Sequence, residues 1–218
     1  MQLKKQSKLA KGIRIVTVPP VMVAVLLTIL YFTREGIFRG PADFWWNCFF
    51  LAALPVFAYP LAALLPALRT RGREGQRSMA FIMSLIAYPG ALIYGLLAGA
   101  AEPLLLIEWT YLLSALILAL LNKATPLRSS GHACALAGPL YLLIYFLGWA
   151  VLLPCLALGA LVCWSSLSLR RHTPRDLFYG ALTAALAFGL SRLKHFDIGP
   201  VVGAYAGRGC VGIAYIQK

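Results

Sequence analysis

The chain has 218 residues, of which 61% are hydrophobic and only 12% are charged. This composition and a mean hydropathy of +0.78 exclude an ordinary soluble domain, in which about a quarter of the residues are charged. The net charge is +13, from 20 Lys and Arg residues against 7 Asp and Glu residues. In so apolar a chain these charges collect in loops. Anionic lipid headgroups and a phosphate-bearing substrate explain them better than nucleic acid does.

The apolar runs predict an all-α, polytopic transmembrane helical bundle, because helices satisfy their own backbone in lipid. We expect a multi-pass protein of the cell membrane with about six to seven spans. The predicted spans are residues 15–32, 48–68, 78–100, 104–122, 133–153, 154–169 and 177–193. They form a single integral membrane domain, 1–218, surrounded by membrane lipids. Residues 1–122 hold the basic amino terminus and four spans, 123–193 hold the polar core, and 194–218 form a glycine-rich tail.

Two basic segments predict the orientation. Residues 1–14 carry five Lys and Arg side chains ahead of the first apolar run, and loop 69–77 carries four arginines. Basic loops stay in the cytoplasm, so both segments are expected there. We interpret the amino terminus as the anchor of a retained first span. Counting spans from it places the polar clusters described below on the cytoplasmic side.

Several residues inside the spans carry structural predictions. Three prolines predict a kinked second span, and Tyr88-Pro89-Gly90 predicts a break in the third. We interpret Glu108, near the start of the fourth span, as a carboxylate that reaches interfacial water. The cysteines show no metal-ligand spacing and are interpreted as small core residues. They are Cys48, Cys134, Cys155, Cys163 and Cys210.

Two polar clusters begin and end an apolar hairpin. The first runs from Lys123 to His132 and the second from Arg170 to Asp176. Two crossings between them return the chain to the same membrane surface, so the clusters can face each other there and bind an anion. The candidate residues are the catalytic His172, His132 and Asp176, and the phosphate-binding Lys123, Arg128, Ser130, Gly131, Arg170 and Arg171.

A structural interpretation competes with this site. Thr173, Pro174 and Asp176 have the spacing of an ordinary helix capping box, and Ser130 can cap the helix that follows it. However, two of the three histidines of the chain stand at these two helix starts on the same predicted side. That coincidence favours a functional site.

The clusters resemble the motifs of the phosphatidic acid phosphatase type 2 superfamily, the lipid phosphate phosphatases related to vanadium haloperoxidases. The segment His172 to Gly180 resembles its third motif, in which an aspartate follows the histidine by four positions. Ser130-Gly131-His132 resembles its second motif, Pro-Ser-Gly-His, with Ser129 in place of the proline. Lys123 and Arg128 resemble its first motif. The resemblance covers residues 123–180.

One departure from the family concerns phosphate binding. The third motif of the family begins with Ser-Arg, whereas this chain has Ser165 and Ser166 at those positions. Arg170 or Arg171 could supply the missing guanidinium. Alternatively, the site binds a different anion geometry or has lost turnover.

The residues predict metal-independent phosphoryl transfer without a cofactor. Neutral His172 can attack phosphorus if Asp176 accepts its other ring N–H, and His132 can act as acid and then base. The remaining candidates and two helix amino termini would surround the phosphoryl oxygens. The predicted function is hydrolysis of a lipid phosphomonoester or diphosphate. The alternatives are a lipid phosphotransferase and a non-catalytic transporter or binding protein for a phosphorylated lipid.

Overall fold

The computed structural model describes residues 8–125 and 128–194, and this part of the chain is helical without a strand. The predicted all-α class is therefore confirmed. The predicted tail 194–218 lies almost wholly outside the described residues. The helices are α1 (Lys8–Val16), α2 (Pro19–Thr33), α3 (Pro41–Asn47), α4 (Leu54–Val56), α5 (Ala58–Leu64), α6 (Pro66–Arg69), α7 (Arg73–Ala98), α8 (Glu102–Ala124), α9 (Gly131–Leu147), α10 (Leu152–Ser168) and α11 (Pro174–Lys194).

Four helical stretches in the described residues are long and apolar enough to cross a membrane. A fifth results if α1 and α2, which are bent by 53°, count as one span. This supports a membrane protein but does not confirm six to seven spans. Predicted spans 133–153 and 154–169 fall in one apolar stretch, and α11 is not among the four. The four stretches are Pro41–Leu64, Glu74–Ala98, Glu102–Ala124 and Gly131–Ser168.

The prolines act differently in the two spans where breaks were predicted. The second predicted span is interrupted as expected: a wide helical turn over Cys48–Ala53 joins α3 to α4, and Leu65 leaves the helical conformation between α5 and α6. In contrast, α7 continues through Pro89, so the predicted break there is wrong. Gly90 lies against the ring of Phe50, and this close packing supports the helix at that point.

The predicted polar-cluster hairpin is present, but its turn lies before Pro154, which is inside α10. A short helical turn, Gly148–Val151, joins α9 to α10, and Gly148 has φ +75°. Leu140 of α9 packs against Gly159 of α10, so α10 returns along α9. The start of α9 and the end of α10 therefore lie at the same end of the bundle.

Helix α11 packs closely on α9. A Cβ atom at Gly180 would lie 2.5 Å from the carbonyl oxygen of Ser130 and 2.8 Å from Cβ of Ala133. Glycine is thus required for the contact, because the obstructing atoms belong mainly to a helix backbone that cannot move alone. At the far end of α11, Thr110 of α8 donates a hydrogen bond to Ser191 over 3.3 Å. These contacts fix α11 between α8 and α9.

The two ends of the bundle differ in chemistry. At one end, Arg39 pairs with the buried Asp43 over 2.7 Å and donates to the carbonyl oxygens of Ala98 and Gly99, which end α7. The other end gathers α1, the starts of α7, α9 and α11, and the ends of α8 and α10. This second end carries the polar clusters.

Two sequence interpretations are corrected by burial. Glu108 does not reach interfacial water: its side chain is fully buried against Gly95, and neither carboxylate oxygen has a hydrogen-bond partner among the described residues. Cys134 and Cys155 are buried as expected and Cys48 is partly buried, whereas Cys163 is exposed. Cys210 lies outside the described residues.

Candidate functional site

The two polar clusters meet through their backbones. The N–H of Ser130, the residue before α9, donates a hydrogen bond to the carbonyl oxygen of Asp176 in α11 over 3.0 Å. The close approach of Gly180 to Ser130 brings the two helix starts together. The amino termini of α9 and α11 therefore begin side by side, and their dipoles favour an anion between them.

His172 stands beside Asp176 at the start of α11. Nδ1 of His172 lies 3.7 Å from Oδ2 of Asp176, slightly too far for a hydrogen bond, and 10% of the His172 side chain is exposed. The carboxylate of Asp176 also accepts from the N–H of Thr173, and the backbone N–H of Asp176 donates to the hydroxyl oxygen of Thr173, as in a capping box. The carboxylate thus caps the helix and faces the imidazole. The Nδ1 side of the His172 ring therefore faces this carboxylate.

Burial and neighbouring groups lower the pKa of His172, which favours its neutral form, and neighbouring groups lower the pKa of Asp176, which favours its ionised form. Burial lowers the pKa of His172, the charges of Arg14, Arg77 and Arg128 lower it further, and Asp176 partly opposes them. Partial burial alone would raise the pKa of Asp176. Hydrogen bonding by Thr173, with the charges of His172 and Arg128, outweighs this effect and holds that pKa below its ordinary value. A neutral imidazole next to a carboxylate is the state that a nucleophile requires.

His132 occupies the second position of α9 and faces the same point. Arg14 and His172 lie close enough for their charges to act on it. Its Nε2 atom is buried and has no hydrogen-bond partner among the described residues. A buried nitrogen in this state costs free energy unless a ligand or water meets it. The structure thus brings the two predicted histidines together.

A set of hydrogen bonds fixes the loop before α9. Asn122 of α8 accepts from the N–H of Ser129 over 2.9 Å and donates to its carbonyl oxygen, and the hydroxyl groups of Ser129 and Thr183 are 3.3 Å apart. Ser130 is buried, and its hydroxyl accepts from the N–H of Ala133 as an N-cap. The cap leaves the Gly131 amide at the first turn of α9, pointing out of the helix.

The predicted basic residues fall into two groups. Arg128 acts electrostatically on both His172 and Asp176, so the structure places it at the site. Lys123 is exposed, with its ammonium 5.8 Å from the ring centroid of Phe81 in α7. Arg170 and Arg171 are also exposed, and no described contact joins any of these three side chains to the histidines.

Two arginines at the site were missed. Arg14 of α1 and Arg77 of α7 are the cations with the largest effects on His172. Both were interpreted as topology signals, because each lies in a basic segment beside an apolar run. Periodicity could have singled out Arg14, since it shares a helix face with Ala10 and Thr17, both of them buried.

An apolar groove runs away from this site between α9, α10 and α11. It has a volume of about 240 Å³ and begins at Ala133 and Leu177, the residues that follow His132 and Asp176. A second recess continues it past Tyr141 and Ile144 as far as Phe188. From Leu177 to Phe188, α11 advances roughly 16 Å. A polar anion site at the mouth of such a groove is suited to a molecule with an anionic head and an apolar chain.

Comparison with protein-family models, with curated proteins and with solved structures finds no match for this chain. The functional argument therefore depends on the residues and geometry of the site.

Proposed function

We propose that this protein is a membrane lipid phosphatase that hydrolyses a lipid phosphomonoester or diphosphate through a phosphohistidine intermediate. The observation that supports it is the arrangement of His132, His172 and Asp176 under the charges of three arginines, beside an apolar groove whose lining includes Ala133 and Leu177. The charges that act on His172 among the described residues are three positive and one negative. A phosphomonoester of about two negative charges at neutral pH balances this excess.

The proposed reaction has two halves. The Nε2 lone pair of His172 forms a bond to phosphorus as the bond from phosphorus to the lipid oxygen breaks, and His132 donates a proton to that oxygen. Water then attacks phosphorus, His132 accepts its proton, and the nitrogen–phosphorus bond breaks with its electron pair returning to His172. Asp176 stabilises the positive charge that His172 carries in between.

The remaining groups stabilise charge. Arg128, the Gly131 amide and the two helix amino termini face the region where the phosphoryl oxygens gain negative charge, which is the main requirement of phosphoryl transfer. The negative charge of the substrate offsets the positive charge of the nearby arginines. His132 can then take the protonated imidazolium form that it needs as an acid. Ser130 contributes by holding the start of α9 against Asp176.

For the membrane arrangement we propose seven crossings, made by α2, the α3–α5 segment, α7, α8, α9, α10 and α11. The support comes from the two ends of the bundle: Arg39 meets the end of α7 at one, and Arg14 and Arg77 meet His172 at the other. The two basic segments then share the side of the site, and the positive-inside rule makes that side cytoplasmic.

Phosphate release from the purified, detergent-solubilised protein tests the function. A panel of phosphorylated diacylglycerols and prenyl alcohols is compared with a water-soluble phosphomonoester, without added metal. We expect release from the lipids. Gly159→Leu should lower hydrolysis of long-chain lipids more than that of short-chain ones. Gly159 lines the groove, and a side chain there meets only an ordinary van der Waals contact, so it would occupy the groove without displacing the helices. Gly189→Leu, on open space outside the groove, is the matched control. Binding of the lipids without release would instead indicate a transporter or binding protein.

A further inference from the structure

Helix α1 is attached to the end of α10 by two consecutive buried serines. The hydroxyl of Ser165 donates a hydrogen bond to the carbonyl oxygen of Ala10 over 2.7 Å. Nη1 of Arg14 donates to the hydroxyl of Ser166 over 3.4 Å. Ser165 and Ser166 are almost completely buried, at 1% and 0% exposure, and Ala10 is buried with them. The serine pair therefore fixes both the position of α1 and the direction of the Arg14 side chain.

The amphipathic character of α1 explains why Arg14 points inward. Ala10, Arg14 and Thr17 follow spacings of four and three residues and share one face. The other face exposes Leu9, Ile15 and Val16. Leu9, Ile15 and Val16 thus face outward, as they would toward lipid, whereas Ile13 packs on the core and Arg14, the last basic residue of α1, faces the protein.

Arg14 lies near the proposed site, because Ser166, which it contacts, accepts at its carbonyl oxygen from the N–H of Arg171, the residue before His172. Its charge acts on both His172 and His132, and its effect on His172 exceeds those of Arg77 and Arg128. The Nε2 atom of His132 in the same region is buried without a hydrogen-bond partner among the described residues. Both observations indicate a ligand between Arg14 and the two histidines.

On the basis of the proposed function, we propose that α1 supplies a phosphate-binding residue of the site, with the guanidinium of Arg14 held by Ser166 and directed at the phosphoryl oxygens. Ser166 stands where the resemblance led us to expect an arginine on α10 itself. In this chain the serine orients an arginine from another helix into that place. Arg170 and Arg171 are then not needed to replace the arginine that the resemblance leads us to expect at position 166.

The planar guanidinium suits this role better than an ammonium would. A guanidinium has five N–H donors, so the bond to Ser166 uses only one of them, and its planar fork matches the geometry of phosphoryl oxygens. Lysine has the charge but not this fork. Replacing Arg14 by a neutral residue should therefore weaken phosphate binding more than replacing it by lysine, and both changes should weaken it.

The test measures binding of inorganic phosphate to the full-length protein in detergent by titration calorimetry, together with lipid phosphate hydrolysis. Arg14→Gln should weaken phosphate binding about ten- to hundredfold, the usual size for a hydrogen bond to a charged group, and Arg14→Lys should weaken it less. Lys11→Gln removes the same charge from the exposed part of α1 and should leave binding unchanged. Arg14→Ser combined with Ser166→Arg moves the guanidinium onto α10 and should restore part of the binding.

The outcomes separate this inference from the function itself. If the wild type hydrolyses lipid phosphates and Arg14→Gln keeps its phosphate affinity and kcat/KM, the Arg14 proposal is wrong and the function stands. If no lipid is hydrolysed but phosphate binding still depends on Arg14, the anion site is supported and the phosphatase is not. Absence of phosphate binding by the wild type overturns the inference. Loss of binding in Lys11→Gln as well would also overturn it, because the effect would then come from displacement of α1.

Discussion

The N–H of Ser130 donates a hydrogen bond to the carbonyl oxygen of Asp176, 46 positions further along the chain, over 3.0 Å. This bond joins the first turns of two helices that each carry a histidine of the proposed site. It exists because Gly180, almost two turns into α11, allows the backbone of α9 to approach. The geometry of the site thus depends on a residue with no side chain.

Gly180→Ala tests that dependence. The new Cβ would lie 2.5 Å from the Ser130 carbonyl oxygen, so α11 must move and carry Asp176 and His172 away from α9. We expect kcat to fall by about a hundredfold, since displacements near 1 Å have that effect on positioned groups. Gly189→Ala, in the same helix with no atom within 4 Å of the new Cβ, should be harmless. Equal activity of the two variants would contradict the account.

The pH dependence of kcat/KM tests the charges around His172. Burial and the three arginines lower its pKa, so the neutral form persists below the usual histidine range and activity falls only when the pH drops through the lowered value. Arg77→Gln removes one of these charges. The pKa of His172 should rise, and the acidic limb of the profile should move to higher pH.

The matched control for this measurement is Arg71→Gln. Arg71 is exposed in the same basic loop and is not among the charges that act on His172. The acidic limb of the pH profile of Arg71→Gln should coincide with that of the wild type. An acidic limb that does not move in Arg77→Gln, or that moves to lower pH, would mean that His172 is not the group being titrated.

Thiol labelling tests the side of the membrane. Single cysteines at Ala124 and Arg175 mark the end that carries the site, and one at Glu35 marks the opposite end, in a background without native cysteines. All three positions are exposed. An impermeant reagent on intact cells should label position 35 alone, and permeabilised cells should be labelled at all three. Labelling of 124 and 175 but not 35 in intact cells would place the site outside.

Sequence reasoning predicted the elements that follow local rules. The apolar hairpin and its flanking polar residues indicated that His132 and His172 meet, and the capping box at Thr173 and Asp176 is present as its spacing suggested. Neither the packing of Glu108 against Gly95 nor the continuity of α7 through Pro89 could be predicted. Both depend on which helix lies opposite, and a single sequence does not specify that.

The phosphate-binding residues show the same limit. Arg170 and Arg171 are close to His172 in sequence and were natural candidates, yet both are exposed at the end of α10. Arg14 is 158 positions from His172 and reaches it because Ser165 and Ser166 hold α1 in place. A pair of serines is an ordinary core feature in an apolar helix, so only the tertiary contact reveals what it holds.

The central claim is that His172 becomes phosphorylated during turnover. Wild-type protein incubated with a lipid carrying a labelled phosphate is denatured rapidly, and the protein-bound label is mapped. We expect an acid-labile, base-stable phosphoryl group on His172 and its absence in His172→Ala, which should lose all turnover while remaining folded. His132→Ala should retain label longer, because water is no longer activated. A His172→Ala variant that keeps more than about a tenth of the wild-type kcat, a loss under roughly 1.4 kcal/mol, would contradict the covalent mechanism.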